Sequence, residues 1–386
     1  MSYIKKSFLF GITIYAYCTI AFPVLSAETL KIGVLMPTSG SGAAYGIPAI
    51  NGIILATNEI NKNGGLIGKK VEFVIRDTKL KPSVASAAAK ELITKEKVQV
   101  LLGAISSSVT LAVSEVAKNE KIVLFAPISK TTALTGKKFH KYIFQSSANT
   151  IIEGRAMATI AKKIGARKIC VSGFDYAYSH DLFESLEQKL VGPTISAKYH
   201  VKFGTKDFSA LISQLLSAEC DTVVGAIWGG GFLAFVKQAN PFGLFKQKKF
   251  IWGAEVGSHE MANSLKGDYP EGIWANSYDL WYHKGPPAHK KFQQALAKLE
   301  GQKETNMWPI TTYVGIKFLA AGITKAGTSE SEKLVEALEG LSIDTPLGRK
   351  TIDPENHRVN TGEFWGPMKK VGDSSILHMS PPTYFD

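Results

Sequence analysis

The sequence predicts an α/β fold of two lobes, each built on a parallel sheet, with a chain that crosses between them three times. Three observations predict it. From residue 28 onward short β-rich runs alternate with helical patterns, and repeated βα alternation builds parallel sheets covered by helices on both faces. One such series runs to residue 145 and a second begins near 146, so there are two lobes. After residue 277 the alternation stops, and the apolar helical segments that follow must pack on lobes already built.

In the first series "LKIGVLM" (30–36) is a strand and "NGIILATNEINKNGG" an amphipathic helix. Ile53, Leu55 and Ile60 supply its apolar faces, and Gly64–Gly65 end it. Then come the strand "KVEFVIRD", the helix "SVASAAAKELITKE", the strand "VQVLLGA" and a helix that begins in "SSSVTLAVSEVAKNE". "KIVLFAP" and "YIFQSS" close the lobe. The second series opens with the helix "TIIEGRAMATIAKKIG". It continues through the strands "KICVSGF", "ISAKYHV", "DTVVGAIW" and "KFIWGAE", separated by the helices "SHDLFESLEQKL", "DFSALISQLLSA" and "FLAFVKQA". In the tail, "AHKKFQQALAKLEG" and "WPITTYVGIKFLAAGITKAG" are long helices joined to "SEKLVEALEG". "PLGRKTIDPENHRVNTGEFWGPMKK" reads as short strands and turns. The expected division is lobe 1 over 28–145 with 278–345 returning to it, and lobe 2 over 146–277 with 346–386 returning. Crossings then fall near 145, 277 and 346, around a deep cleft.

At 386 residues, with 45% hydrophobic and 20% charged side chains, the chain can bury the cores of two domains. Its first 27 residues differ in kind. "MSYIKK" is basic, "SFLFGITIYAYCTIAFPVL" is apolar but interrupted at Pro23, and "LSA" offers small residues before Glu28. That is the layout of a signal peptide cleaved after Ala27, which predicts export. Cys18 lacks the small residues of a lipidation site and would be discarded. Removing Lys5 and Lys6 lowers the basic count from 45 to 43 against 33 acidic residues, a net charge of +10. The basic residues are scattered, as a solvated surface requires, and no nucleic-acid partner is expected. Cys170 reads as mid-strand and Cys220 as a helix end, so the two are expected to be unpaired. The eight histidines are isolated and no ligand spacing recurs, so neither a metal nor another cofactor is expected.

"LMPTSGSGAAYGIPA" (35–49) follows a strand and opens a helix, the setting of a dinucleotide fingerprint. The third glycine should fall at 45, which is Tyr45, and the second strand ends at Asp77, too far on for a ribose-binding acid. The loop needs another role. No nucleophile elbow and no Cys/His pair with a recognisable context is present, so catalysis is not expected.

Ligands of parallel α/β sheets bind at the carboxyl ends of the strands. Those ends carry Ser39–Tyr45, Asp77, Ser106–Ser108, Ser129–Thr131, Phe174–Tyr178, Trp228–Gly231 and Glu255. In "GAISSSVTLAV" a strand runs into three serines that open a helix. Its free N–H groups and a hydroxyl suit a carboxylate, while one serine can cap the helix. Tyr45, Tyr178, Trp228 and Trp308 could wall an apolar pocket, though each taken singly is as well explained as a packed aromatic. Glu255 would suit a ligand ammonium or form an ion pair with one of the many lysines.

In their order along the chain, "KIGVLMPTSGSGAAYG", "NGIILATNEINKNGGLIGKKVEFVIRD", "VLLGAISSSVT", "APISKTTALT", "KDFSALISQL" and "GAEVG" resemble the type I periplasmic binding proteins of ABC importers. The likeness is to the leucine/isoleucine/valine branch and covers essentially the whole mature chain. It implies two Rossmann-like lobes joined by a three-segment hinge. It also implies a monomer that captures a small carboxylate-bearing solute and presents it to a membrane permease. By resemblance Ser107 would hold the carboxylate, with Ser129, Lys130 and Thr131 as the following loop. Glu255 would hold the ammonium, and Tyr45, Tyr178, Trp228 and Trp308 would line the side-chain pocket. The glycines after Pro37 would let the first loop hug the ligand. The implied cargo is a branched-chain or other hydrophobic or aromatic amino acid. Two departures bear on this: Leu80 and Ser106 replace a first-lobe disulfide of the family, and Lys130 stands where amino-acid binders place Thr or Ser. With a lysine there, an aromatic acid or an amide becomes the alternative cargo, with Lys130 paired to the acid and Glu255 to a protein cation or a ligand donor. A periplasmic sensor on the same fold is a further alternative.

Overall fold

The computed structural model describes residues 29–386; the leader expected over 1–27 lies outside the described residues. The first lobe contains β1 (Thr29–Met36), α1 (Ala43–Lys62), β2 (Lys70–Asp77), α2 (Pro82–Thr94), β3 (Val100–Gly103), α3 (Ser107–Glu120), β4 (Leu124–Ala126) and β5 (Ile143–Gln145). Its sheet is parallel in the order β2-β1-β3-β4-β5. Pairing of Met36 with Asp77 and of Leu35 with Gly103 brings the carboxyl ends of β1, β2 and β3 to one edge. Loops that leave that edge face the second lobe.

The second lobe contains α4 (Thr150–Lys163), β6 (Lys168–Phe174), α5 (Ala177–Lys189), β7 (Thr194–Val201), α6 (Ser209–Ser217), β8 (Thr222–Ala226), α7 (Gly229–Ala239), α8 (Leu244–Gln247), β9 (Lys249–Trp252), α9 (His259–Leu265) and β10 (Trp274–Ser277). The tail adds α10 (Pro287–Glu300), α11 (Pro309–Ala326), α12 (Ser331–Leu338), the hairpin β11 (Ser342–Thr345) and β12 (Gly348–Thr351), then β13 (Glu363–Lys369), β14 (His378–Met379) and β15 (Thr383–Phe385). The second sheet runs β14-β13-β10-β9-β8-β6-β7, with β15 beside β13. Strands β13, β14 and β15 are antiparallel additions at one side.

Helix α11 lies directly on α1. A Cβ at Gly52 would fall 1.9 Å from the Pro309 carbonyl oxygen, and Thr312 Oγ1 donates to the Ala49 carbonyl at 2.5 Å. The tail stays with the first lobe longer than the crossing expected near 346. The amide of Gln145 donates to the His357 carbonyl at 3.0 Å, and the amide of Val359 donates back to Gln145 at 2.8 Å. Residues 357–359 thereby extend the open edge at β5, an attraction of unpaired backbone groups that turn composition alone does not reveal.

The cysteines are also corrected. Cys170 and Cys220 form a disulfide with Cα atoms 5.6 Å apart. Strands β6 and β8 are neighbours, with Cys170 opposite Val223, so Cys220, two residues before β8, lies beside the first half of β6. Two cysteines on different elements met because the topology set the elements side by side. A bridge that closes 50 residues stabilises by roughly 4 kcal/mol in the chain-entropy model. The Cys170→Ala/Cys220→Ala variant should therefore lose about 2–4 kcal/mol in chemical denaturation while keeping its ligand affinity, because neither cysteine reaches the cleft.

Candidate ligand-binding site

The site is a small cavity between the lobes. Its lining includes Tyr45, Ser107 and Trp308 from the first lobe, and Tyr176, Tyr178, Trp228 and Glu255 from the second. Lys130 enters from the segment between β4 and β5.

Ser107 is the first residue of α3, and the capping position before it, Ser106, makes no side-chain cap bond. The opening amides of a fourteen-residue helix therefore stand beside the cavity with a hydroxyl among them, an arrangement that favours an anion. The path to it depends on Gly103, whose φ of 137° is open to glycine and whose added Cβ would meet the Leu35 carbonyl oxygen at 2.3 Å.

Opposite lies a buried ionic cluster. Lys130 Nζ donates to Glu255 Oε1 at 2.5 Å and to Glu363 Oε2 at 2.6 Å, and pairs with Glu153 Oε2 at 3.1 Å. All four side chains are at most 5% exposed, and the Tyr278 ring faces the ammonium at 5.2 Å. Asn276 Nδ2 donates to Glu363 and Glu255 at 3.0 and 3.2 Å. Trp365 Nε1 donates to Glu363 Oε1 at 2.7 Å, and Tyr178 Oη to Glu153 Oε1 at 2.8 Å. Burial works against the Lys130 charge, but three carboxylates outweigh it and hold its pKa well above the usual lysine value. Burial, aided by Glu153 and Glu363, pushes Glu255 up to about 8 despite Lys130, and burial likewise raises Glu363. The three carboxylates have the spacing of a cation site; the cation that occupies it is Lys130.

Three further groups of contacts join the lobes around the cavity, and a fourth orders its second-lobe wall. Tyr45 Oη donates to the Ala254 carbonyl at 2.9 Å, and its ring stacks on Trp228 at 5.6 Å and lies 4.6 Å from Trp308. The Thr131 hydroxyl donates to the Asp181 carboxylate. Glu260 of α9 accepts from the amides of Met307 and Trp308, at 2.8 and 3.2 Å, just ahead of α11. Burial raises Glu260 to about 7, against those amide bonds. Trp228 Nε1 donates to Tyr176 Oη at 2.7 Å, so the Tyr176 proton remains available to a ligand.

Of the residues selected from sequence, Tyr45, Ser107, Lys130, Tyr178, Trp228, Glu255 and Trp308 line one cavity. Ser129 and Thr131 do not. Ser129 is fully buried, and its carbonyl accepts from Ser147 and Gln145, whereas Thr131 caps the following turn and reaches Asp181. The glycines after Pro37 also stand back from the cavity. A Cβ at Gly46 would fall 1.9 Å from the Pro37 carbonyl oxygen, so the space is needed by the loop's own backbone, and only Tyr45 reaches the cavity. Sequence reasoning missed Glu153, Glu260 and Glu363, and placed Tyr176 at a strand end without assigning it to the pocket. Glu153 had a signal: with Ala156, Met157 and Ile160 it continues the apolar face of α4, where an unpaired charge would be costly.

The chain is similar to known proteins over most of its length. The family described as periplasmic binding protein matches residues 29–367. The leucine-, isoleucine-, valine-, threonine- and alanine-binding protein of Pseudomonas aeruginosa is 26% identical over 339 residues, 87% of this chain and 89% of that protein. A solute-binding protein of an ABC transporter from R. palustris, in complex with 4-hydroxybenzoate, superposes with a TM-score of 0.82 at 24% identity, covering 91% of this chain and 95% of that one. A leucine-binding protein from Thermotoga maritima MSB8 does so with a TM-score of 0.81 at 24% identity, covering 92% and 98%.

Proposed function

The chain belongs to the periplasmic binding protein family, and on that premise we propose that it is the periplasmic receptor of an ABC importer for a small carboxylic acid with an apolar body and no α-amino group. The family is one of solute-binding transport proteins, not enzymes. The carboxylate would sit at the start of α3 with Ser107, and the apolar body between Tyr45, Trp228 and Trp308. Closure of the lobes about their three connections would present the loaded form to a membrane permease. A monomer suffices, since both halves of the cavity come from one chain. The amino-terminal leader, cleaved after Ala27, would direct export.

The observation that carries the choice of ligand is Lys130 Nζ at 2.5 Å from Glu255 Oε1. An amino-acid receptor needs a carboxylate free to meet the ligand ammonium. Here the protein supplies its own ammonium at that place, and a second one would have to displace it. A hydrophobic α-amino acid is the second reading, favoured by the names of relatives such as the Pseudomonas aeruginosa protein. Neighbours of this fold include both a 4-hydroxybenzoate complex and a leucine-binding protein, so the fold itself accommodates either class.

Thermal unfolding of ligand-stripped mature protein against benzoates, short branched acids and α-amino acids tests the proposal. A ligand at a hundred times its Kd adds about 2.7 kcal/mol, a rise of a few degrees. Acids lacking an amine are expected to give it, and Ser107→Ala to weaken them by about 1–3 kcal/mol. A rise with α-amino acids alone would turn the assignment to the second reading.

A further inference from the structure

We propose that the cleft captures its carboxylate together with a proton, so that the cargo is taken up as the equivalent of the neutral acid. The inference rests on the reading of the cleft as a carboxylate site and adds the co-ligand. Its basis is a charge count across the cleft. Glu153 on α4, Glu255 after β9 and Glu363 on β13 all belong to the second lobe, whereas Lys130 comes from the first. Bringing the lobes together encloses three carboxylates around one ammonium, with every side chain at most 5% exposed. A ligand carboxylate then adds a fourth negative group to the same enclosure. Water that would screen these charges is excluded, and a buried excess of like charge is relieved by binding protons.

The surrounding groups offer no other relief. The charged groups that act on Glu255 are Lys130, Glu153 and Glu363. Tyr45 from α1, Tyr176 just before α5, Tyr178 within it and Tyr278 after β10 are all held well above the phenol range by burial, so they stay neutral. Glu260 from α9 acts on Tyr45 from behind and brings a further acid, not a cation. Asn276 donates its amide to all three carboxylates but carries no charge. Glu255 and Glu363 are coupled through Lys130; burial raises both, Glu255 to about 8, so proton uptake by Glu255 falls within reach of neutral pH.

Glu255 lines the cavity, so opening of the lobes would admit water to it and return it towards its ordinary value; the lobes-together state has the raised pKa. Affinity is therefore greatest at low pH and declines as pH rises towards about 8, by about tenfold per pH unit for each proton taken up. Above that it levels off.

The test is calorimetric titration of the wild-type protein at pH 7 in phosphate and in Tris, buffers of unlike ionisation enthalpy. Benzoate, 4-hydroxybenzoate, 4-methylpentanoate and leucine are the probes. The difference in binding heat between buffers counts protons, and about one per ligand is expected. Between pH 6 and pH 8 the Kd of the bound probe should rise about tenfold per unit. Glu255→Gln and Glu363→Gln each replace an acid by a neutral amide and should reduce the count and flatten the pH profile. Binding heats identical in the two buffers after correction for none of their ionisation would overturn the inference alone. Absence of binding with every probe would overturn the carboxylate reading and this inference with it.

Discussion

Lys130→Met should weaken binding of the acid at pH 7 by roughly 3–5 kcal/mol, the range found when one partner of a buried ion pair is removed. That is more than two orders of magnitude in Kd. Methionine roughly fills the lysine stem but leaves Glu153, Glu255 and Glu363 with no cation at the point where Nζ now lies within 3.1 Å of each. Lys130 belongs to the first lobe and the three carboxylates to the second, so the loss is expected to fall on the closed, ligand-bound state more than on the fold. Calorimetry at pH 5 to 8, with denaturation of the ligand-free protein, separates the two. The variant should recover affinity at low pH more steeply than wild type, because its cluster must take up more protons to close. An unchanged Kd at pH 7 would mean that the cluster contributes nothing to closure.

The second large effect is expected at Tyr45, which is 2% exposed. Its ring is packed between Trp228 of the second lobe and Trp308 of the first. Tyr45→Ala removes an aromatic side chain from a packed interior, a loss of about 3–5 kcal/mol. Much of it should appear as weaker ligand binding, since the contact with Trp228 spans the cleft. Tyr45→Phe keeps the ring and deletes only the bond to the Ala254 carbonyl, so about 1 kcal/mol is expected. Titrations of both variants check the contrast. Equal effects would place the energy in the hydrogen bond, and no effect in either would remove Tyr45 from the closing surface.

Much of this site was legible because strand ends can be located without coordinates. Ser107, Trp228 and Glu255 each follow a β-rich run, and parallel sheets gather such positions at one edge. Aromatic wall residues were legible for a similar reason. The partners of Lys130 were not. Glu153 sits within a helix and Glu363 starts a tail strand, 23 residues after and 233 after Lys130, and no local pattern joins them. Their meeting depends on how β13 docks beside β10. The same limit explains Cys170 and Cys220, which become neighbours through the adjacency of β6 and β8. Glu260 was hidden because its function, accepting amides ahead of α11, exists only once the lobes meet. Local pattern shows which residues stand at an edge; long-range packing decides which of them face each other and which are already satisfied.

The measurement that tests the central claim most directly is a calorimetric comparison of leucine with 4-methylpentanoate on the ligand-stripped wild-type protein. The two molecules share a skeleton and differ only in the α-ammonium. If Lys130 fills the ammonium place, 4-methylpentanoate binds at least about tenfold more tightly, a difference of about 1.4 kcal/mol. Tighter binding of leucine would show that Lys130 yields to the ligand ammonium and that Glu255 is an amino-acid contact after all.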